Sequence, residues 1–243
     1  MTQAIAFSRP AGSPPVVAAI AQAAQRTGVD FSYLLANARA ESGLDPMARA
    51  RTSSASGLFQ FTDATWLAMV ARHGDKHGLG WAADALKSGA GGAMRQTILQ
   101  LRHDAGAAAA MAGEFTRDNA ARLEGALGRA AGAADLYLAA FFGAGGAITF
   151  LKSMAAAPGM AAASLLPAAA AANRSTFFHA DGRARSLAEV HDVVSARISR
   201  HMGGAPAGNS LPPAGTSLPA TPIDPALIAA RARMAYLVLA AMA

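Results

Sequence analysis

Residues 38–66 read ARAESGLDPMARARTSSASGLFQFTDATW, and the way this stretch divides decides how the rest of the chain is read. Its first residues close an Ala-rich apolar run that begins at Phe31, with Asp30 placed to cap the helix start and Gly43 to stop its end. A loop rich in Ser and Arg follows as far as Phe61, and Thr62-Asp63 then caps another helix carrying Trp66, Met69 and Val70. Within this frame one acid stands out. Leu34, Ala38 and Glu41 fall on one helical face at spacings of four and three, so Glu41 shares the face that carries buried apolar groups. Burial disfavours an ionised carboxylate, and the negative end of the helix dipole disfavours an anion by ~0.3–1 kcal/mol. Both effects keep a carboxylic acid protonated near neutral pH, the state in which it can donate a proton to a leaving oxygen. Position alone also allows an ordinary solvated Glu near a helix end.

Working outward, the chain has 243 residues, 53% of them hydrophobic, enough for a sizeable core. Much of that fraction is Ala, which favours helices packed closely on one another. Apolar residues recur at periods of three and four and never alternate over a strand's length, so the fold class is all-α. Helices are expected over 16–26, 31–42 and 62–72. A Gly- and His-containing loop comes next, then a long helical region over 94–129, broken or frayed near Gly113. Further helices are expected over 135–142 and 147–154, joined by the small-residue turn 143–146. An Ala-rich stretch then runs through Pro167 to Asn173, and a helix over 186–201 opens on the capping box of Ser186 and Glu189.

This layout divides the chain into a flexible start at 1–15, one domain at 16–202, a Gly-, Pro- and Ser-rich linker at 203–222 and a final helix at 223–243. The last helix begins cleanly at Asp224-Pro225, but only ten residues follow Arg233, short of the ~20 apolar residues a membrane span needs. Two readings of this tail stand: it docks on its own domain or a dimer mate, or it binds a protein partner or a membrane surface.

The formal charge of +6 suits an anionic polymer such as cell-wall glycan, an anionic membrane or nucleic acid. No basic run of five occurs, and aromatics do not interleave with the arginines, so nucleic acid is set aside. With zero Cys there are no disulfides, thiolate metal sites or thiol catalysis. The opening MTQAIAFSRPAGSPP lacks the basic start and apolar stretch of a secretory signal. His73 and His77 lie four apart in RHGDKHG, but Gly74 and Gly78 and the missing HExxH pattern point to a solvated loop, and no metal is expected. Nor is a nucleotide cofactor, because no strand precedes GAGGA at 143–147.

Glu41-Ser42-Gly43-Leu44-Asp45-Pro46, followed by Ser56-Gly57-Leu58-Phe59-Gln60-Phe61 and the Trp66 helix, resembles the soluble lytic transglycosylase family, which is goose-lysozyme-like. That family's hallmarks are an E-S-x-x-(N/D)-P segment and a G-L-(M/F)-Q segment about a dozen residues later. The resemblance implies a lysozyme-like α domain, in the periplasm or cell envelope of a bacterium, that cleaves the MurNAc-β-1,4-GlcNAc bond of peptidoglycan glycan strands and leaves a 1,6-anhydro-MurNAc end. It implies that Glu41 is the sole catalytic acid and then base, and that Gln60 binds substrate. Ser42 stands either as a brace of the helix end or in a direct role, and Phe59 either in the sugar cleft or in the core. Thr52 falls near where the family often has a Ser beside the substrate. One departure is plain: where the family carries A-Y-N-A-G, this chain has Ala140-Phe141-Phe142-Gly143-Ala144, so both polar groups are missing. Tyr137, one turn earlier, is the candidate to supply a hydroxyl, against the alternative of a buried helix tyrosine. Two other functions are carried beside the transglycosylase: a non-catalytic binding or assembly module, and a goose-lysozyme-type hydrolase.

Overall fold

The computed structural model describes residues 16–51 and 53–203. The expected flexible start, Thr52, the linker beyond Gly203 and the final helix lie outside the described residues. Among the described residues all regular elements are helical, with isolated bridge pairs and no strand, consistent with an all-α lysozyme-like domain.

The helices near the opening motif form where local chemistry places them. α1 (Val16–Thr27) buries Ala19, Ile20, Ala23 and Ala24 along one face. α2 (Phe31–Ser42) starts where Asp30 accepts the Tyr33 amide at 2.8 Å and stops at Gly43, whose φ of 63° only glycine adopts freely. α3 (Asp63–His73) is capped by Thr62, which accepts from the Thr65 amide at 3.3 Å.

The next segment departs from expectation. The stretch read as a loop holds a 3-10 turn (Gly74–His77) and α4 (Gly80–Lys87), and α5 (Gly92–Gln100) forms the start of the helical region expected from 94. Neither α4 nor α5 has a side-chain cap at its start, so their ends carry no local signal. Their stability comes from packing: Trp66 is fully buried and donates its indole N–H to the Ile98 carbonyl of α5 at 2.7 Å. Neither His73 nor His77 is solvated: His73 is buried, and His77 is half-buried with its side chain 5% exposed. His77 Nε2 lies 2.9 Å from Glu114 Oε1, and His73 Nε2 lies 3.0 Å from Asp118 Oδ2.

The expected break at Gly113 is also displaced. α6 (Ala105–Leu127) runs straight through it, after a 3-10 turn at Leu101–His103 and an N-cap at Asp104. Gly113 serves a close helix crossing instead: a Cβ there would sit 2.5 Å from Thr27 Oγ1 on α1. α7 (Ala133–Ala156) bends once, at Gly143 (φ 74°, ψ 160°), so one residue does what a four-residue turn was expected to do. By length and composition α7 could cross a membrane, but 56% of its most apolar window is buried inside the domain, around Tyr137, Leu138, Phe142 and Phe150. Short helices α8 (Ala162–Leu165), α9 (Pro167–Ala172) and α10 (Arg174–Phe177) lead to α11 (Leu187–Met202), which opens on the expected Ser186–Glu189 capping box.

Candidate active site

The loop between α2 and α3 is built around a glycine and a buried arginine. At Gly57 φ is 81°, and a Cβ would lie 2.1 Å from the Arg102 carbonyl oxygen, so no other residue fits. Arg102 is itself buried. Its guanidinium donates to the Ser54 carbonyl at 2.8 Å and the Phe61 carbonyl at 3.0 Å, and pairs with Asp63 at 2.7 Å. Burial lowers its pKa, and Asp63 opposes that fall. The loop folds back on itself through bridges of Ser56 to Arg49 and to Phe61. Ser56 Oγ sits 2.7 Å from His103 Nε2, whose imidazole is pushed below its ordinary value by burial and by Arg49 and Arg102. Asp45 Oδ1 accepts the Met47 amide at 2.8 Å, the turn-forming role its place before Pro46 suggests.

Two motif side chains are fixed by backbone carbonyls. The Ser42 hydroxyl lies 2.8 Å from the Leu58 carbonyl and 3.2 Å from the Ala38 carbonyl, tying the last turn of α2 to the loop. Gln60 adopts φ 49°, unusual for a non-glycine residue. Its amide nitrogen donates to the Gly57 carbonyl at 2.8 Å and the Ala48 carbonyl at 3.1 Å. The same amide's Oε1 is buried with no hydrogen-bond partner among the described residues. An unmet buried acceptor costs roughly 1–3 kcal/mol, so this one is a marked feature.

A groove of about 260 Å³ runs beside this loop. Asn37, Phe59 and Gln60 line one side; Met69, Arg72, Phe115, Asp118, Asn119 and Arg122 of α3 and α6 line a second; Ala139, Ala140, Phe141, Gly143 and Ala144 of α7 line the third. Arg72 and Asp118, both on this second wall, pair at 2.7 Å. Burial raises the Asp118 pKa, but hydrogen bonds from His73 and Arg72 outweigh it and hold the carboxyl below its usual range.

Of the residues singled out from sequence, Phe59 and Gln60 are on the groove. Glu41 is 2% exposed and lies one turn beyond Asn37 on α2, off the groove surface. Ser42 is a buried brace, and Thr52 lies outside the described residues. Tyr137 is in the core: burial pushes its phenol up to about 12, with Arg197 of α11 pulling the other way. The structure does not bring it to the groove. Phe141 does reach the groove, whereas Phe142 stays in the core against Phe150 and Phe177. Asp118 and Arg122 were not legible as site residues, because α6 reaches the groove from more than fifty positions beyond the motifs, and Arg72 on α3 gave no sign of its pairing with Asp118. Asn37 carried a signal, its four-residue spacing from Glu41. Compared with known families, residues 18–113 match the model described as the Transglycosylase SLT domain; the match takes in both motif segments and ends inside α6.

Proposed function

We propose that this chain, whose residues 18–113 match the Transglycosylase SLT domain and so support a lytic-transglycosylase-type function on peptidoglycan, cleaves the MurNAc-β-1,4-GlcNAc bond with Glu41 as its one acid and base. The observation that carries the reading is the joint placement of the two motifs: Ser42 locks the turn holding Glu41 onto the loop that sets Phe59 and Gln60 in the groove.

The chemistry balances on one carboxyl. Protonated Glu41 gives its proton to the glycosidic oxygen as the C1–O bond breaks, and the GlcNAc 4-hydroxyl leaves. The resulting carboxylate takes the proton of the C6 hydroxyl on the same MurNAc while O6 bonds to C1. The product is the 1,6-anhydro ring, and Glu41 ends protonated. Glu41 stands about 6 Å along α2 from Asn37, so a glycan seated in the groove reaches the carboxyl by displacing the wall at that end. The groove volume is near the lower end for small-molecule sites, a fit for a short stretch of polymer whose ends remain outside. In this reading the protein works in a bacterial envelope, where its substrate is.

Two observations favour other readings. Asp118 places a second carboxylate on the groove, as a hydrolase would use to activate water. Glu41 being off the groove surface suits a glycan-binding module without cleavage. Digestion of purified sacculi followed by mass spectrometry of the released sugar ends separates the three. The transglycosylase reading expects anhydro ends; reducing ends mean hydrolysis, and no released muropeptides means a binding module.

A further inference from the structure

Asn37 has no structural reason to be an amide. It is 8% exposed in the middle of α2, and its Oδ1 is buried with no hydrogen-bond partner among the described residues. Asn is a weaker helix former than Ala or Leu, and an unmet buried acceptor destabilises the free protein. Helix and core would both be better served by Leu or Ala there.

The groove explains it. Asn37 lines the same groove as Gln60, whose Oε1 is the other unmet buried acceptor at this site. The α7 side offers only Ala139, Ala140, Phe141, Gly143 and Ala144, with no side-chain hydrogen-bonding group. Elsewhere on the walls, Thr62 and Thr65 bond to each other at 2.9 Å, and Arg72 is paired with Asp118. Gln60 is locked by its two bonds to backbone carbonyls and can only accept. Asn37 is not locked in this way, and a half-turn about Cβ–Cγ exchanges its NH2 and carbonyl ends. Asn119 of α6 also lines the groove, but the two amides with unmet buried acceptors, one fixed and one able to turn, match a ligand that carries an amide of its own beside hydroxyl donors. Among the groups of a glycan strand, that is the N-acetyl group.

We infer that Asn37 is a specificity-determining residue that, together with Gln60, recognises an N-acetyl group of the glycan. This rests on the proposed reading of the groove as a glycan site, and it supplies from α2 the polar contact that the apolar α7 wall lacks.

The test compares wild type, Asn37→Leu and Asn37→Ala on sacculi with intact N-acetyl groups and on sacculi de-N-acetylated beforehand. Wild type should prefer the acetylated substrate by about tenfold in kcat/KM, as one buried hydrogen bond is worth. Both variants should lose about tenfold on acetylated substrate, change little on de-N-acetylated substrate, and so lose the preference. Asn37→Leu should melt at or above the wild-type temperature, which separates recognition from damage to the fold. Wild-type discrimination retained in the variants overturns the inference while leaving the proposed activity intact. Should wild type release no muropeptides, the activity reading fails on its own, and binding decides the inference. Tetra-N-acetylchitotetraose titrated by NMR into the wild type and Asn37→Leu should then bind at least about tenfold more weakly to the variant; equal binding, or none to either, overturns it.

Discussion

The loop wall of the groove, residues 44–51 and 53–61, is held by side chains that bond to backbone carbonyls, whereas the α7 wall, residues 139–144, is held by packed rings and one bent residue. On the loop side, Arg102, Ser42 and Gln60 each satisfy carbonyls at distances from 2.8 to 3.1 Å, and Gly57 admits no side chain. On the α7 side, Phe142 meets Phe141, Phe150 and Phe177 with ring centroids 4.9, 5.7 and 5.8 Å apart, and Gly143 supplies the bend. The difference assigns the tasks: the loop wall places atoms that can act on a substrate, and the α7 wall supplies shape. The departure at 141–142 falls in this wall, where edge-on and tilted rings stand in place of polar groups.

Substitutions sharpen this contrast. Phe142→Asn puts an amide among three rings and should cost about 4 kcal/mol in urea denaturation, from lost packing and an unmet polar group. Phe141→Tyr, by contrast, adds a hydroxyl at the groove surface and should shift stability by less than about 1 kcal/mol; equal costs at the two positions would show that the α7 wall is not divided into core and groove faces. Gly57→Ala forces the loop away from the Arg102 carbonyl and should cost about 3 kcal/mol, with loss of activity before loss of fold. A smaller penalty, about 2 kcal/mol, is expected for Gly143→Ala, whose φ and ψ belong to a region almost exclusive to glycine. A stability change under 0.5 kcal/mol there would mean that the bend is not fixed by this residue.

The smallest effect is one of pH. His103 is held below 6.5 by burial and by Arg49 and Arg102, so just below that pH the unfolded chain binds more protons than the folded one. Stability therefore rises with pH through this window and is lost as pH drops below it. His201, lowered by burial and by Arg200, Arg39 and Arg197, adds to the same window. The denaturation midpoint should fall between pH 7.5 and 5.5, and His103→Gln should flatten part of that slope. An unchanged slope would remove His103 from the account.

What was legible in the sequence follows the range of the interactions involved. α2 was readable from Asp30 to Gly43, and α11 from its capping box, because those ends are set by side chains within three or four residues. α4 was not, since it begins among glycines without a capping side chain, and α5 was read only as the start of a longer helix; it too lacks a capping side chain and is held by packing such as Trp66 on Ile98. Gly113 looked like a break because glycine weakens an isolated helix, whereas its purpose is a contact with Thr27, far away in sequence. The same distance hid Glu114 and Asp118 as partners of His73 and His77. At the site, the motif pair gave Phe59 and Gln60; the α6 wall waited on the fold, and Asn37 was passed over because, although its spacing from Glu41 was readable, nothing local shows that its amide lacks a partner.

The most direct test of the account is the rate of anhydro-muropeptide release from sacculi by wild type and Glu41→Gln, with glycan binding measured on both. The account predicts a loss of at least about a hundredfold in rate with binding and melting temperature unchanged. A variant that still releases anhydro ends at a comparable rate would contradict it.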